Sequence, residues 1–361
     1  MYPFSFIIFL LYSSPVWYQS IDSHIPETND AFESRINESR IVLTGEAHYN
    51  SSSPVNKYNF ITYLNKYHNF TEYLIEFGYA EGFLLTKYLE TGDSTYIEFN
   101  TLCPSKDYRN MWNDLFHYNQ SQPKEKRITV TGIDYERQRP AIYAIGILLN
   151  SLNIDPLFEE QLQRLRKINE EEKVWNPKEE VIKIFEELKA NLQEPKFNHL
   201  KVEDDFKHLI RILDNSASHL RMKDRNKDFV KNLSKVYDPE KRYFGQFGGV
   251  HIRWEKKFTF ASQLIKYFPD LNMNNVEVIP TRYYNAFNTT SNGVRKITGG
   301  GYSFAMKDKE SVFETEFGNK IENGIYLLHV SKMPEKLSKK IPKGYNYMIY
   351  VKGTRALKWQ K

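Results

Sequence analysis

Four short apolar runs in this chain finish in the same way. Ile41-Val42-Leu43-Thr44 is followed by Gly45-Glu46-Ala47-His48, and Tyr73-Leu74-Ile75 by Glu76-Phe77-Gly78. Arg127 to Ile133 carries Gly132 near its end and leads into Asp134, and Arg242 to Val250 carries Gly248-Gly249 and leads into His251. Carboxylates and imidazoles are the side chains that move protons near neutral pH, and they also ligate divalent metals. Glu46 and His48 are two apart, so an extended backbone sets them on one face. The glycines are read as points where the backbone turns. A lone acid after a strand is most often a helix cap, and a lone histidine is most often structural. Four strand ends with one grammar point to a shared functional cleft.

Those residues need elements to bring them together. The four runs read as strands, joined later by Val276 to Pro280, Ile325 to Val330 and Tyr347 to Val351. Asn59 to His68 and Ala80 to Glu90 have helical spacing, the second stopping at Gly92. Strands alternating with helices imply βαβ units, hence an α/β fold: three layers, with a mostly parallel β-sheet flanked by helices. In such sheets the ligand crevice lies outside the carboxyl ends of the strands, where Glu46, His48, Glu76, Asp134 and His251 are expected to converge. From about residue 155 to 237 the chain is rich in Glu, Lys, Leu and Ile, with breaks at Pro177 and Pro195, and reads as a helical insertion beside the sheet. No Pro- or Ser-rich linker interrupts residues 21–361, which are read as one domain, and no repeat of solenoid period is present.

Composition narrows the partners. The chain has 361 residues, 40% hydrophobic and 15% aromatic, too apolar for disorder. Its net charge of +5 (50 Lys and Arg against 45 Asp and Glu) is small and interspersed, which disfavours nucleic acid. The partner expected for the cleft at the strand ends is a small-molecule substrate. Cys103 has no second cysteine to pair with. Met1 to Ser20 contains no charged residue, and Phe4 to Tyr12 is an apolar run too short for a comfortable membrane span. It reads as a signal-peptide core directing export to a periplasmic, extracellular or membrane-associated location. The alternative is a buried first strand or helix, since no Lys or Arg precedes the run.

Ile41 to Asn50 resembles the opening motif of the superfamily that joins erythromycin-esterase-like, ChaN-type haem-binding and TraB/Tiki proteins. Gly45-Glu46-Ala47-His48 has the ChaN-like spacing. Glu76, Trp112, Tyr118-Asn119 and Gly132-Ile133-Asp134 are similar to the esterase branch in order, as are Arg225 and Asn232, seven residues apart. Gly248-Gly249-Val250-His251 resembles the Gly-x-x-His of TraB/Tiki proteins. The closing strand, Tyr345 to Val351, has Asn346 where an Asp is common.

The resemblance implies a three-layer α/β hydrolase in which a histidine activates water against an ester or lactone carbonyl. Carried over by position, His48 would be the general base, Glu46 or Glu76 would orient it, His251 would meet the developing oxyanion, and Arg225 would supply fixed positive charge. Asp134 completes the set. No Gly-x-Ser-x-Gly elbow is present, which argues against a serine nucleophile. Two other chemistries stay open. Glu46, His48, Glu76 and His251 could hold a divalent metal in a TraB/Tiki-like peptidase, although His-Glu-x-x-His is absent. ChaN-like haem or iron binding would use an aromatic pocket.

Overall fold

The computed structural model describes residues 18–20, 30–99, 105–171, 177–218, 224–284, 286–290, 293–297, 317–339 and 341–358. The apolar run Phe4 to Tyr12 and Cys103 lie outside the described residues. After β1 (Tyr18–Ser20), which belongs to a side sheet, five strands form a wholly parallel central sheet: β2 (Ile41–Glu46), β3 (Glu72–Gly78), β4 (Thr129–Asp134), β5 (Tyr243–Gly248) and β6 (Val276–Ile279), in the order β4-β3-β5-β2-β6. These are five of the seven strands read from the sequence. Their apolar runs are near-continuous because helices cover both faces of the sheet.

Alternate residues on each strand serve opposite faces. On one face Val42, Tyr73 and Phe244 pack with Phe32 of α1 (Asp30–Glu38), Phe60 and Leu64 of α2 (Ser52–His68), and α4 (Lys106–Ser121), which follows α3 (Tyr79–Thr91). Helix α4 turns Tyr108, Met111, Trp112 and Leu115 inward at helical intervals. On the other face Leu43, Leu74 and Phe247 meet α9 (Arg225–Ser234) and α10 (Phe260–Tyr267). Between these come α5 (Gln138–Ser151), α6 (Glu159–Glu171), α7 (Glu179–Leu192) and α8 (Asp204–Ser218). Helices α5 to α8 and α3 share a third core built from Leu84, Ile145, Leu165, Ile184, Leu188 and Leu209. The stretch expected to be a helical insertion therefore divides. Helices α6 to α8 stack on α5, whereas α9 lies on the sheet, its Phe229 and Leu233 packed with Ile133 of β4.

The two remaining strands read from the sequence build something else. β7 (Thr281–Tyr284), the hairpin β8 (Ala286–Thr290) and β9 (Gly293–Ile297), β10 (Gly324–His329) and β11 (Tyr347–Lys352) follow β6. β10 and β11 join β1 and β7 in a mixed side sheet of order β1-β10-β11-β7. Pro280 stands at the transfer point. It has no N–H to give a ladder, and its carbonyl accepts the Ile349 N–H at 2.8 Å, so the chain leaves the central sheet there.

Gly78 and Gly132, at the ends of β3 and β4, are needed for space rather than for turning. Left-handed glycines among the described residues are Gly92, Gly344 and Gly353, not Gly45, Gly78, Gly132 or Gly248. A Cβ on Gly132 would lie 1.9 Å from the Gly78 carbonyl oxygen, and one on Gly82 would lie 2.3 Å from Gly132 N. Helix α3 thus rests directly on β4. Among the described residues no helix is long and apolar enough to cross a membrane.

Candidate active site

Every carboxyl end of the central strands named above faces one region, and all six residues singled out in the sequence meet there. β2 ends on Glu46, whose side chain is 4% exposed. The chain then turns sharply: Ala47 N–H donates to the Tyr283 hydroxyl at 2.7 Å, and Tyr49 takes a left-handed φ of 63° although it is not glycine. Such a conformation persists only where the surroundings impose it. Between these two residues His48 is presented to the cleft with half of its side chain exposed. Its Nδ1 lies 2.9 Å from Glu46 Oε1.

Glu46 is held on both oxygens. Oε2 accepts from Lys57 Nζ at 2.9 Å and from Gln246 Nε2 at 2.8 Å. Lys57 also donates to the Tyr108 hydroxyl at 3.0 Å. Burial alone would push Glu46 upward, but Lys57 and His48 outweigh it and hold the carboxyl well below the usual range.

The second centre is Glu76, at a register irregularity between β3 and β4 that falls between Ile75 and Gly78. Irregularities of this kind re-aim side chains. Glu76 Oε2 accepts the Gly248 N–H at 2.6 Å. Its Oε1 lies 3.0 Å from Arg225 Nη2, 3.5 Å from His251 Nε2 and 4.0 Å from His48 Nε2. Arg225 pairs in fork fashion with Asp134, Nε to Oδ1 at 3.1 Å and Nη2 to Oδ2, and lies over the rings of Tyr135 and Phe229. Asp134 and Glu76 keep the guanidinium charged. His251 is set by Asn226, whose Oδ1 is 2.7 Å from its Nδ1. Gly248 gives His48 its room: a Cβ there would sit 3.1 Å from His48 Nε2, so that the imidazole would have to move by a few tenths of an ångström, and 3.4 Å from Glu76 Oε2.

The two imidazoles are driven in opposite directions. Burial opposes a charge on His48, but its hydrogen bond to Glu46 and the charges of Glu46 and Glu76 prevail and raise it. Burial, reinforced by Arg225 and His48, lowers His251 despite Glu76. The cavity they border has a volume of about 210 Å³. Glu46, His48, Glu76 and Arg225 line it directly, with Arg137 and Tyr135 on the wall. Asp134 and His251 stand behind these residues, on Arg225 and Glu76.

Sequence reasoning missed Lys57, Gln246 and Asn226. The first two left a trace: Lys57 falls on the apolar stripe of α2, in helical register with Phe60, Ile61 and Leu64, and Gln246 interrupts an otherwise apolar strand. It also missed a supporting layer. The carbonyls of Ile133 and Asp134, at the end of edge strand β4, accept from Asn232 Nδ2 (3.1 Å) and Asn215 Nδ2 (2.8 Å), respectively. Buried Glu136 accepts from the N–H groups of Tyr79 and Ala80 at the start of α3 and from Asn215; burial pushes it up to about 8. Other residues of the resemblance are structural. Asn119 bonds both backbone groups of Ile128, and Asn346 donates to Glu277 at 3.0 Å.

The donor set does not fit a metal ion. Glu46 already faces the ammonium of Lys57, and Glu76 the guanidinium of Arg225. Among the described residues no group of three or more His, Cys, Asp or Glu side chains is arranged to hold one. A haem fits no better, because the cavity is small and walled by charged groups.

A three-layer α/β fold with an acid and histidine cleft at its strand ends is the class of molecule these observations define. No protein-family model and no curated protein matches the sequence. Solved structures do match. A Bacillus cereus protein aligns with a TM-score of 0.65 at 14% identity, covering 95% of this chain and 97% of its own. A succinoglycan biosynthesis protein aligns at 0.64 with 16% identity, covering 95% and 96%. The erythromycin esterase EreC, as a histidine-to-asparagine variant in its open conformation, aligns at 0.59 with 13% identity, covering 95% and 98%. The chain therefore has the fold that the erythromycin esterase EreC also has, as its sequence motifs implied.

Proposed function

We propose that this protein hydrolyses ester or lactone bonds of a small molecule, with water activated by His48 and no covalent intermediate. The observation that carries the reading is the Glu46–His48–Glu76 arrangement. With Nδ1 engaged by Glu46, the free His48 Nε2 looks into the cavity, 4.0 Å from Glu76 Oε1, a gap that one water can bridge. Neutral His48 takes a proton from that water as it adds to the carbonyl carbon. Glu46 and Glu76 stabilise the imidazolium. Arg225, on the cavity wall beside Glu76, is the fixed positive charge placed to meet the developing oxyanion, while His251 stands behind Glu76 and backs that carboxylate. His48 then returns its proton to the departing alkoxide, and the resting state is restored. Likeness of fold to an erythromycin esterase agrees with this reading.

The test is a screen of small esters, lactones and peptides with purified protein, with and without a chelator. Ester or lactone cleavage that resists the chelator is expected. Activity lost with chelator and restored by manganese, cobalt or zinc would replace the reading with a metal mechanism. A Soret band on adding haem, with no hydrolysis, would replace it with binding.

A further inference from the structure

The helical layer holds a second concavity, of about 590 Å³, that shares no lining residue with the cleft. This size falls within the range of small-ligand pockets, roughly 300–1,000 Å³. Leu192 of α7 with Phe206 and Ile210 of α8 provide an apolar floor, and Lys201, Arg211 and Lys235 stand around it. Two further charged residues at the rim are already neutralised: Lys207 pairs with Asp204 at 2.7 Å, and Asp214 with Lys189 at 2.5 Å. Among the described residues no carboxylate pairs with Lys201, Arg211 or Lys235. Arg211 instead donates to the carbonyl of Lys235 and lies over the ring of Tyr79. Burial lowers the Lys235 ammonium, and Lys231 and Arg211 add to this against the opposing Asp214. Among the described residues Asp214, shared with Lys189, is the one carboxylate lining the concavity against Lys201, Arg211 and Lys235, so the cations beside this apolar floor remain in excess and suit a counter-charge that brings hydrocarbon with it.

We propose that this concavity binds an amphipathic monoanion, a medium-chain carboxylate whose hydrocarbon covers Leu192, Phe206 and Ile210 and whose head group meets Arg211 and Lys235. Inorganic phosphate would match the charge but leave the floor uncovered, and a neutral alcohol would do the reverse. The proposal does not depend on the hydrolytic reading of the cleft.

Calorimetric titration of the full chain with octanoate, 1-octanol and inorganic phosphate tests it. Octanoate is expected to bind saturably at one site, at least about tenfold more tightly than either control, since a charge-assisted pair adds to apolar burial. Lys235→Met, at the rim of the concavity, is expected to weaken octanoate about tenfold with the melting temperature unchanged, and Arg211→Met to do at least as much. His48→Ala is expected to leave octanoate binding intact. Equal affinity for octanoate and 1-octanol, tighter binding of phosphate, no effect of Lys235→Met, or loss of binding in His48→Ala would each overturn the proposal. The last result would put the ligand in the catalytic cleft.

Discussion

His48 stands between two carboxylates, 2.9 Å from Glu46 and 4.0 Å from Glu76. Burial works against its proton, but the hydrogen bond to Glu46 and the charges of Glu46 and Glu76 outweigh burial and favour it. A general base must be deprotonated to act, so a raised value moves the acid limb of activity upward. The acid limb of kcat/KM is expected above the ordinary histidine value of about 6.5, read from a pH–rate profile. Lys57 is the nearby cation that opposes protonation of His48. Lys57→Met is therefore expected to shift that limb to still higher pH. It also leaves buried Glu46 without its ammonium partner, with His48 as the remaining one, so a stability loss of up to about 3–5 kcal/mol is expected in chemical denaturation. At this scale the sequence was legible where strand ends repeat a pattern. Lys57 and Gln246 were not, because each becomes meaningful only once α2 and β5 are packed over Glu46.

At the scale of elements, the cleft depends on how closely strands and helices approach. Gly248 gives its N–H to Glu76 and leaves room for His48 Nε2. Gly248→Ala is expected to displace His48 or Glu76 by a few tenths of an ångström and to lower kcat by about 10-fold to 100-fold, given the sensitivity of positioned groups to such shifts. A circular-dichroism spectrum and melting curve close to the parent would show that the loss lies in geometry and not in folding. The strands themselves were readable from their apolar runs. The reason for their glycines was not, since close approach of α3 to β4 is a property of the packed pair and leaves no local signature. Sheet membership was also out of reach. β10 and β11 read as strands correctly, but pairing with β1 and β7 is set by contacts distant in sequence.

Across the whole molecule, the parallel sheet gathers the reactive groups and the helices hold them still. β4 is an edge strand, and its last carbonyls are satisfied by amides from α8 and α9, so those helices fix the position of Asp134 and through it Arg225. Asn232→Ala removes one of these donors. The expected result is a stability loss of about 1–3 kcal/mol, the cost of leaving a buried polar group unpaired, together with a fall in kcat. Urea unfolding and steady-state kinetics on the same preparation would measure both. The α/β class and the mostly parallel sheet followed from the alternation of strands and helices. The separate roles of α6 to α8 and of α9 did not, because their amphipathic patterns are alike and only the packed structure distinguishes a helix on the sheet from one stacked on other helices.

The account rests on His48 as the base that activates water without a metal. The most direct measurement is hydrolysis of a small activated ester by the parent protein and by His48→Ala, each with and without chelator. The account predicts chelator-resistant turnover by the parent and a loss of about 10²-fold to 10⁴-fold in the variant, the usual contribution of a positioned general base. Full activity in His48→Ala, or parent activity abolished by chelator, would contradict it.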